Sequence, residues 1–229
     1  MTSFIMDKII VFSNKTEGRD KFCKVLQYGS RVLKAVLASE DTKTRLQGLF
    51  TASRDARKMF RLWKSVHEYD AILKLLHNKS MHPFEKFIQL ASKTAMFFYW
   101  IFDNLGILTS VKFLKMNSGK LGKSAMTAWF VGIVFSLIYF LRKLYLNLNS
   151  ENRIKKSESN PQLAIESKIQ IKKERQAIVL GIIKNLGDLV PASNGANVPQ
   201  LLFKKSFTDK WIGLGGLISA LISCYQAWP

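Results

Sequence analysis

A chain of 229 residues is long enough to bury a sizeable core, as one domain or two small ones. Its 35 Lys and Arg against 16 Asp and Glu leave a net charge of +19, yet 48% of its residues are hydrophobic. That apolar share excludes a disordered chain, because so much buried surface offsets the entropy of ordering. The charge asks for a polyanionic partner, either nucleic acid or the anionic face of a membrane.

Cys23 and Cys224 are the only cysteines and lie at opposite ends of the sequence, so no disulfide framework, metal knuckle or CxxC pair is expected. The apolar stretch 1–14 is interrupted by Asp7 and Lys8 and lacks a small-residue cleavage site, so it is not read as a secretory signal. After Asp20, the apolar positions Phe22, Val25, Leu26, Val32, Leu33, Val36 and Leu37 recur at helical spacing. Ser39 to Thr42 supplies turn and cap chemistry, and a further helix is expected from about Lys43.

The segment 54–78 reads as one amphipathic helix. Met59, Leu62, Trp63, Val66, Tyr69, Leu73 and Leu76 share one side, with Arg54, Arg57, Arg61, Lys64 and Glu68 opposite and Asp70 intruding on the apolar face. A wide apolar face carrying a tryptophan against a cationic one suits a helix lying in a membrane interface. The same stripe would also serve to pack against a neighbouring helix.

Pro83 suits a first helical turn. The segment 94–111 is apolar except for Asp103, and is compatible with a span or with a shallow or protein-buried helix, since a mid-segment carboxylate is costly in lipid. Residues 125–141 carry no charge and are followed by Arg142 and Lys143, the best transmembrane candidate, with a buried core helix as the alternative. Residues 147–176 turn polar and basic. Ser157 to Pro161 is expected as a loop tip, with Ser157 and Ser159 as candidate phosphosites beside Lys155 and Lys156. Residues 177–190 are again apolar, PASNGANVPQ reads as a turn-rich link, and 211–228 is uncharged with tryptophan at both ends. There Gly213, Gly215 and Gly216 would allow close backbone approach and are candidate self-association residues. The expected class is all-α: a membrane-associated helical bundle with an N-terminal amphipathic region (1–92), apolar membrane helices (93–146), a polar basic loop and helix (147–176) and C-terminal membrane-associated helices (177–229).

No catalytic residue, metal ligand set or cofactor motif stands out. His67, His77 and His82 have no ligand spacing, and neither a GxSxG elbow nor a P-loop occurs. The cations are spread along the chain, with no zinc signature or RNP-like aromatic motif, so no nucleic-acid partner is expected and the bilayer reading prevails.

Three ordered blocks, NKTEGRDKFCKVLQYGSRVL at 14–33, ARKMFRLWKSV at 56–66 and LISALISCYQAWP at 217–229, resemble the plant-type branch of the peroxin-eleven family of peroxisomal membrane proteins. The resemblance implies a non-enzymatic, multi-pass peroxisomal membrane protein with both termini in the cytosol. It implies that the protein elongates and constricts the membrane, self-associates, promotes proliferation and fission, and works with a tail-anchored fission adaptor and a dynamin-related GTPase. By the same resemblance the membrane-deforming helix begins at Ala56, with Arg57, Arg61 and Lys64 as its cationic face, Leu62, Trp63 and Val66 as its inserting face, and Lys58 and Phe60 on the borders. Arg54 is added from the helical wheel. The lysine-rich tail of some relatives does not follow Pro229, which puts tail-dependent sorting in doubt. A solute-conducting pore is the alternative, motivated by apolar helices carrying polar groups such as Asp103.

Overall fold

The structure is a computed structural model describing the backbone of residues 2–157 and 161–229, with side chains described for 4–151 and 165–229. All regular structure among the described residues is helical: α1 (Thr2–Asn14), α2 (Thr16–Val36), α3 (Glu40–Phe60), α4 (Lys64–His77), α5 (Pro83–Ser110), α6 (Ser118–Ser157), α7 (Pro161–Gly195), α8 (Val198–Phe203) and α9 (Asp209–Ala227). Local chemistry sets several of the starts. Ser39 caps α3 by accepting from the Thr42 amide at 3.4 Å, with Glu40 and Asp41 at the positive end of the helix dipole. Pro83 opens α5 where its missing N–H costs nothing, and the His82 ring nitrogen accepts from the Phe84 amide.

The helices pack in a circuit. α2 lies against α9, α9 against α7, α7 against α6, α6 against α5, and α3 bridges α5 back to α2, with α4 laid on α5. Polar side chains are buried inside this circuit, while large apolar ones such as Phe87, Tyr145, Leu201 and Trp211 stand outside. The chain exposes 14339 Å2, against about 10,600 Å2 for a compact soluble monomer of this mass. Charged groups buried among the apolar ones of the interior, with large apolar groups outside, are the arrangement favoured when lipid covers the outside.

α6 is the one helix among the described residues long and apolar enough to cross a membrane, over Ser118–Glu151, and only 17% of its most apolar stretch is buried. The core-helix alternative for 125–141 therefore does not hold. The polar run 147–176 is helical on both sides of the expected loop tip, since α6 continues to Ser157 and α7 starts at Pro161. Residues 158–160 of the tip, Ser159 among them, lie outside the described residues, as does the side chain of Ser157.

Two expectations are corrected. PASNGANVPQ is not a run of turns: α7 continues through Pro191 to Gly195, and only Asn197 (φ 61°) breaks the chain before α8. Nor are the glycines of α9 free for a second copy. A Cβ on Gly215 would stand 2.7 Å from the Gly187 carbonyl oxygen, one on Gly213 would stand 2.8 Å from Val32, and one on Gly216 would overlap the Tyr28 ring. The proline explains part of this closeness. Pro191 has no N–H for the carbonyl four residues earlier, that of Gly187, and this freed oxygen faces the Gly215 backbone across the α7–α9 contact.

Gly215→Ala is therefore expected to destabilise the bundle by about 1–3 kcal/mol. Gly48→Ala, in open space on α3, should stabilise it by about 0.5–1 kcal/mol. Denaturant unfolding of the detergent-solubilised protein checks both; equal stability of the two variants would contradict the close approach.

Candidate functional site

The interior of the circuit is organised by Asp20 on α2, which is 2% exposed. Arg57, near the end of α3, donates from Nε to Asp20 Oδ1 at 3.1 Å and from Nη1 to Gln27 Oε1 at 2.6 Å. One turn later Arg61 stands 3.8 Å from the same Asp20 oxygen and 3.1 Å from Asp103 Oδ2 on α5, and it donates to the Tyr99 hydroxyl at 3.2 Å. Its guanidinium also lies over the Trp100 ring at 5.2 Å. Nearby, Lys24 donates to Asp188 on α7 at 2.8 Å and to Ser219 on α9 at 2.7 Å. Five helices are thus tied together by largely buried charges.

Burial alone would raise the Asp20 carboxyl, but Arg57 and Arg61 outweigh it and hold the group at about 2, below its ordinary 3.8. Burial pulls the Lys24 ammonium down from 10.5 to about 8 against the opposing pull of Asp188. Both groups stay charged at neutral pH, so the centre acts as a fixed electrostatic clamp rather than an acid–base pair. Among the described residues no group of three or more His, Cys, Asp or Glu is placed to hold a metal ion.

These contacts correct the expected cationic face of residues 54–78. The segment is not one helix: α3 ends at Phe60, Arg61 and Leu62 tighten the last turn by donating to the carbonyls of Lys58 and Met59, and Trp63 adopts a left-handed conformation (φ 71°) before α4 begins. Arg57 and Arg61, 8% and 6% exposed, point inward because a buried carboxylate on α2 and another on α5 require counter-charges. Lys64 is half-buried with its ammonium 5.3 Å over Trp100. Arg54 pairs with Asp55 at 2.9 Å, and Lys58, Phe60 and Leu62 are half-buried.

The apolar half of the expectation meets a different arrangement. Trp63 is 76% exposed at the break, and Val66, Tyr69, Leu73 and Leu76 form an exposed stripe along one flank of α4, where the Tyr69 ring also meets Phe97 of α5 at 6.2 Å. Asp70 borders that stripe and pairs with Lys74 at 2.6 Å. Periodicity missed Asp20, Lys24, Tyr99 and Asp188. Asp103, the lone charge of an apolar segment, was the signal that a buried cation had to face it.

Behind the clamp is a cavity of about 490 Å3, lined from α2, the α3–α4 break, α5, α6, α7 and α9. Its wall mixes Lys21, Lys93 and Lys184 with aromatic groups such as Trp129 and Phe140.

Asp20→Asn leaves two buried guanidiniums short of a counter-charge and is expected to cost about 3–5 kcal/mol. The acid response checks the cause. A carboxyl held at about 2 against 3.8 unfolded contributes stability that is complete above 3.8 and is lost as pH falls through 2. The wild-type Tm should fall across that window and that of Asp20→Asn should fall less; parallel curves would remove the clamp from the account.

The sequence pattern of the family described as Peroxisomal biogenesis factor 11 (PEX11) matches residues 6–228. Among known proteins, the chain is 32% identical to a peroxisomal membrane protein 11 homolog of Dictyostelium discoideum, over 98% of this chain and 94% of that one. It is 29% identical to peroxisomal membrane protein 11C and 27% to 11D of Arabidopsis thaliana, each over 96% of this chain and 91% of the relative. No solved structure matches it. The relatives are peroxisomal membrane proteins, and the names indicate a biogenesis role in the membrane rather than an enzyme. An all-helical chain with an apolar exterior, matched almost end to end, belongs to the PEX11 family of peroxisomal biogenesis factors.

Proposed function

We propose that the protein remodels the peroxisomal membrane, elongating it for proliferation and fission. α6 crosses the bilayer with apolar parts of α5 and α9 embedded beside it, while the α3–α4 break presses Trp63 and the α4 stripe into one leaflet. The observation that carries this reading is Trp63, 76% exposed at the head of an exposed apolar stripe. Wedging side chains into one leaflet expands it relative to the other, and apolar burial of about 1.5–3 kcal/mol per large side chain holds the wedge in place. With Arg57 and Arg61 turned inward, attraction to anionic headgroups falls to cations around the stripe, Arg54, Lys58 and Lys74, each contributing about 1 kcal/mol. Self-association supplies the density of wedges that bends a sheet into a tubule. A tail-anchored fission adaptor and a dynamin-related GTPase then act on the narrowed membrane.

Full-length protein reconstituted into anionic liposomes tests the wedge. Val66→Asp with Leu73→Asp should lower tubulation about tenfold or more while the protein stays carbonate-resistant through α6. Tubulation unchanged in that variant would overturn the reading.

The polar cavity within a ring of helices favours a second reading, a solute-conducting pore. Planar-bilayer recordings of inserted protein should then show conductance that drops when a bulky side chain replaces Ser136 on the cavity wall; silence of inserted protein would dismiss it.

A further inference from the structure

The charges lining the cavity do not balance. Seven Lys and Arg face four Asp and Glu, and counting Asp103, which sits behind Arg61, still leaves the cations two ahead. Most of these cations are committed. Arg57 and Arg61 are clamped to Asp20 and Asp103, Lys24 to Asp188, Lys93 to Glu68 at 3.0 Å, and Lys21 to Asp20 and Glu17. Lys64 and Lys184 are not: among the described residues neither has a carboxylate within ion-pair distance. Lys64 has only the Trp100 ring, and Lys184 only the side-chain oxygen of Gln226 at 3.2 Å. Both feel the repulsion of Lys21, and on Lys184 the attraction of Asp188, one turn along α7, is the larger of the two. Burial, and then repulsion from Lys21, press the Lys64 ammonium below the ordinary lysine range. Two half-buried ammonium groups in one cavity, neither of them in an ion pair, favour the entry of an anion.

We propose that this cavity binds a phosphate-bearing anion, with Lys64 from the start of α4 and Lys184 from α7 as its principal partners and Lys21 and Lys93 alongside. The ligand class follows from the charge. A carboxylate would cancel one unit of a surplus of two or three, whereas a phosphomonoester brings about −1.5 to −2 with several acceptor oxygens. Lysines reaching in from separate helices suit such a group, because each acts as a compact point charge with rotatable donors. The volume lies in the range of small-molecule sites. The phosphate belongs either to a soluble phosphoester or to a lipid headgroup. Occupancy would neutralise repulsion between α2, α4 and α7, so the ligand would tighten the contact between the α3–α4 break and the rest of the ring.

The test uses purified full-length protein in neutral detergent with two arms. In the soluble arm, glycerol 3-phosphate is titrated at constant ionic strength with chloride as control. In the lipid arm, phosphatidic acid is compared with phosphatidylcholine by native mass spectrometry. Wild-type Tm should rise with the phosphoester, or phosphatidic acid should survive on the protein where phosphatidylcholine does not, and which arm responds names the source. Lys64→Gln with Lys184→Gln should weaken that binding about tenfold for each lysine removed. Lys112→Gln with Lys115→Gln, on exposed residues outside the cavity, should leave it unchanged. The ligand-free Tm of the cavity variant should not fall, since two repelling charges are gone; a lower Tm together with retained binding would show that the lysines are structural. No response in either arm, or equal responses from the cavity and control variants, would overturn the proposal.

Discussion

One buried arrangement governs the molecule: two arginines four residues apart at the end of α3, Arg57 within it and Arg61 just past it, held between a carboxylate of α2 and a carboxylate of α5. None of these four groups is tolerable alone in a low-dielectric interior, and together they offset one another's desolvation. Because the partners lie on different helices, the requirement acts on tertiary structure. α3 must approach both α2 and α5, and its last turn must direct Arg57 and Arg61 to the same side. Lys24, Asp188 and Ser219 extend the tie to α7 and α9. The closed circuit of helices is the geometry in which all these pairs are made at once.

The exposed surface follows from the same constraint. Arg61 uses its Nε on the Arg57 carbonyl and its other nitrogens on Tyr99 and Asp103, which fixes this side chain in the centre at the point where α3 ends. The left-handed turn at Trp63 follows and starts α4 in a new direction along α5. α4 turns Ala71, Ile72 and Leu75 inward, half-buried, and leaves Trp63 and the stripe along its flank largely exposed. Charges inside and apolar groups outside are therefore two consequences of one packing solution, and the outside is what a lipid leaflet can receive.

Much of this was legible in the sequence. The helical class, the start at Pro83, the cap chemistry at Ser39 (with the helix expected from about Lys43 and found from Glu40), and the apolar character of the residues now in α6 followed from periodicity and cap signals, which act within a few residues. The three ordered blocks led to the family. The direction of Arg57 and Arg61 was not legible, because a helical wheel separates polar from apolar faces without saying which one meets protein. Their partners Asp20 and Asp103 are 37 and 42 positions from them, beyond any local pattern. The glycines of α9 likewise signalled close backbone approach correctly, but the partner backbones are Val32 and Gly187 of the same chain. Pro191 misled for a physical reason: a proline inside a helix loses one bond, and here the freed carbonyl is used at a helix–helix contact.

The most direct test of the account is the depth of α4 in a bilayer. With Cys23 and Cys224 replaced by alanine, a spin label at position 66 in the full-length protein, reconstituted into anionic vesicles, reports its collisions with oxygen, which concentrates in lipid, and with a water-soluble nickel chelate. An apolar stripe seated in one leaflet predicts high oxygen and low nickel accessibility at 66, and the reverse at Lys79 just beyond the helix. A label at 66 that meets the nickel chelate as freely as one at 79 would mean that α4 lies in water, and the membrane-facing surface assigned to this protein would be wrong.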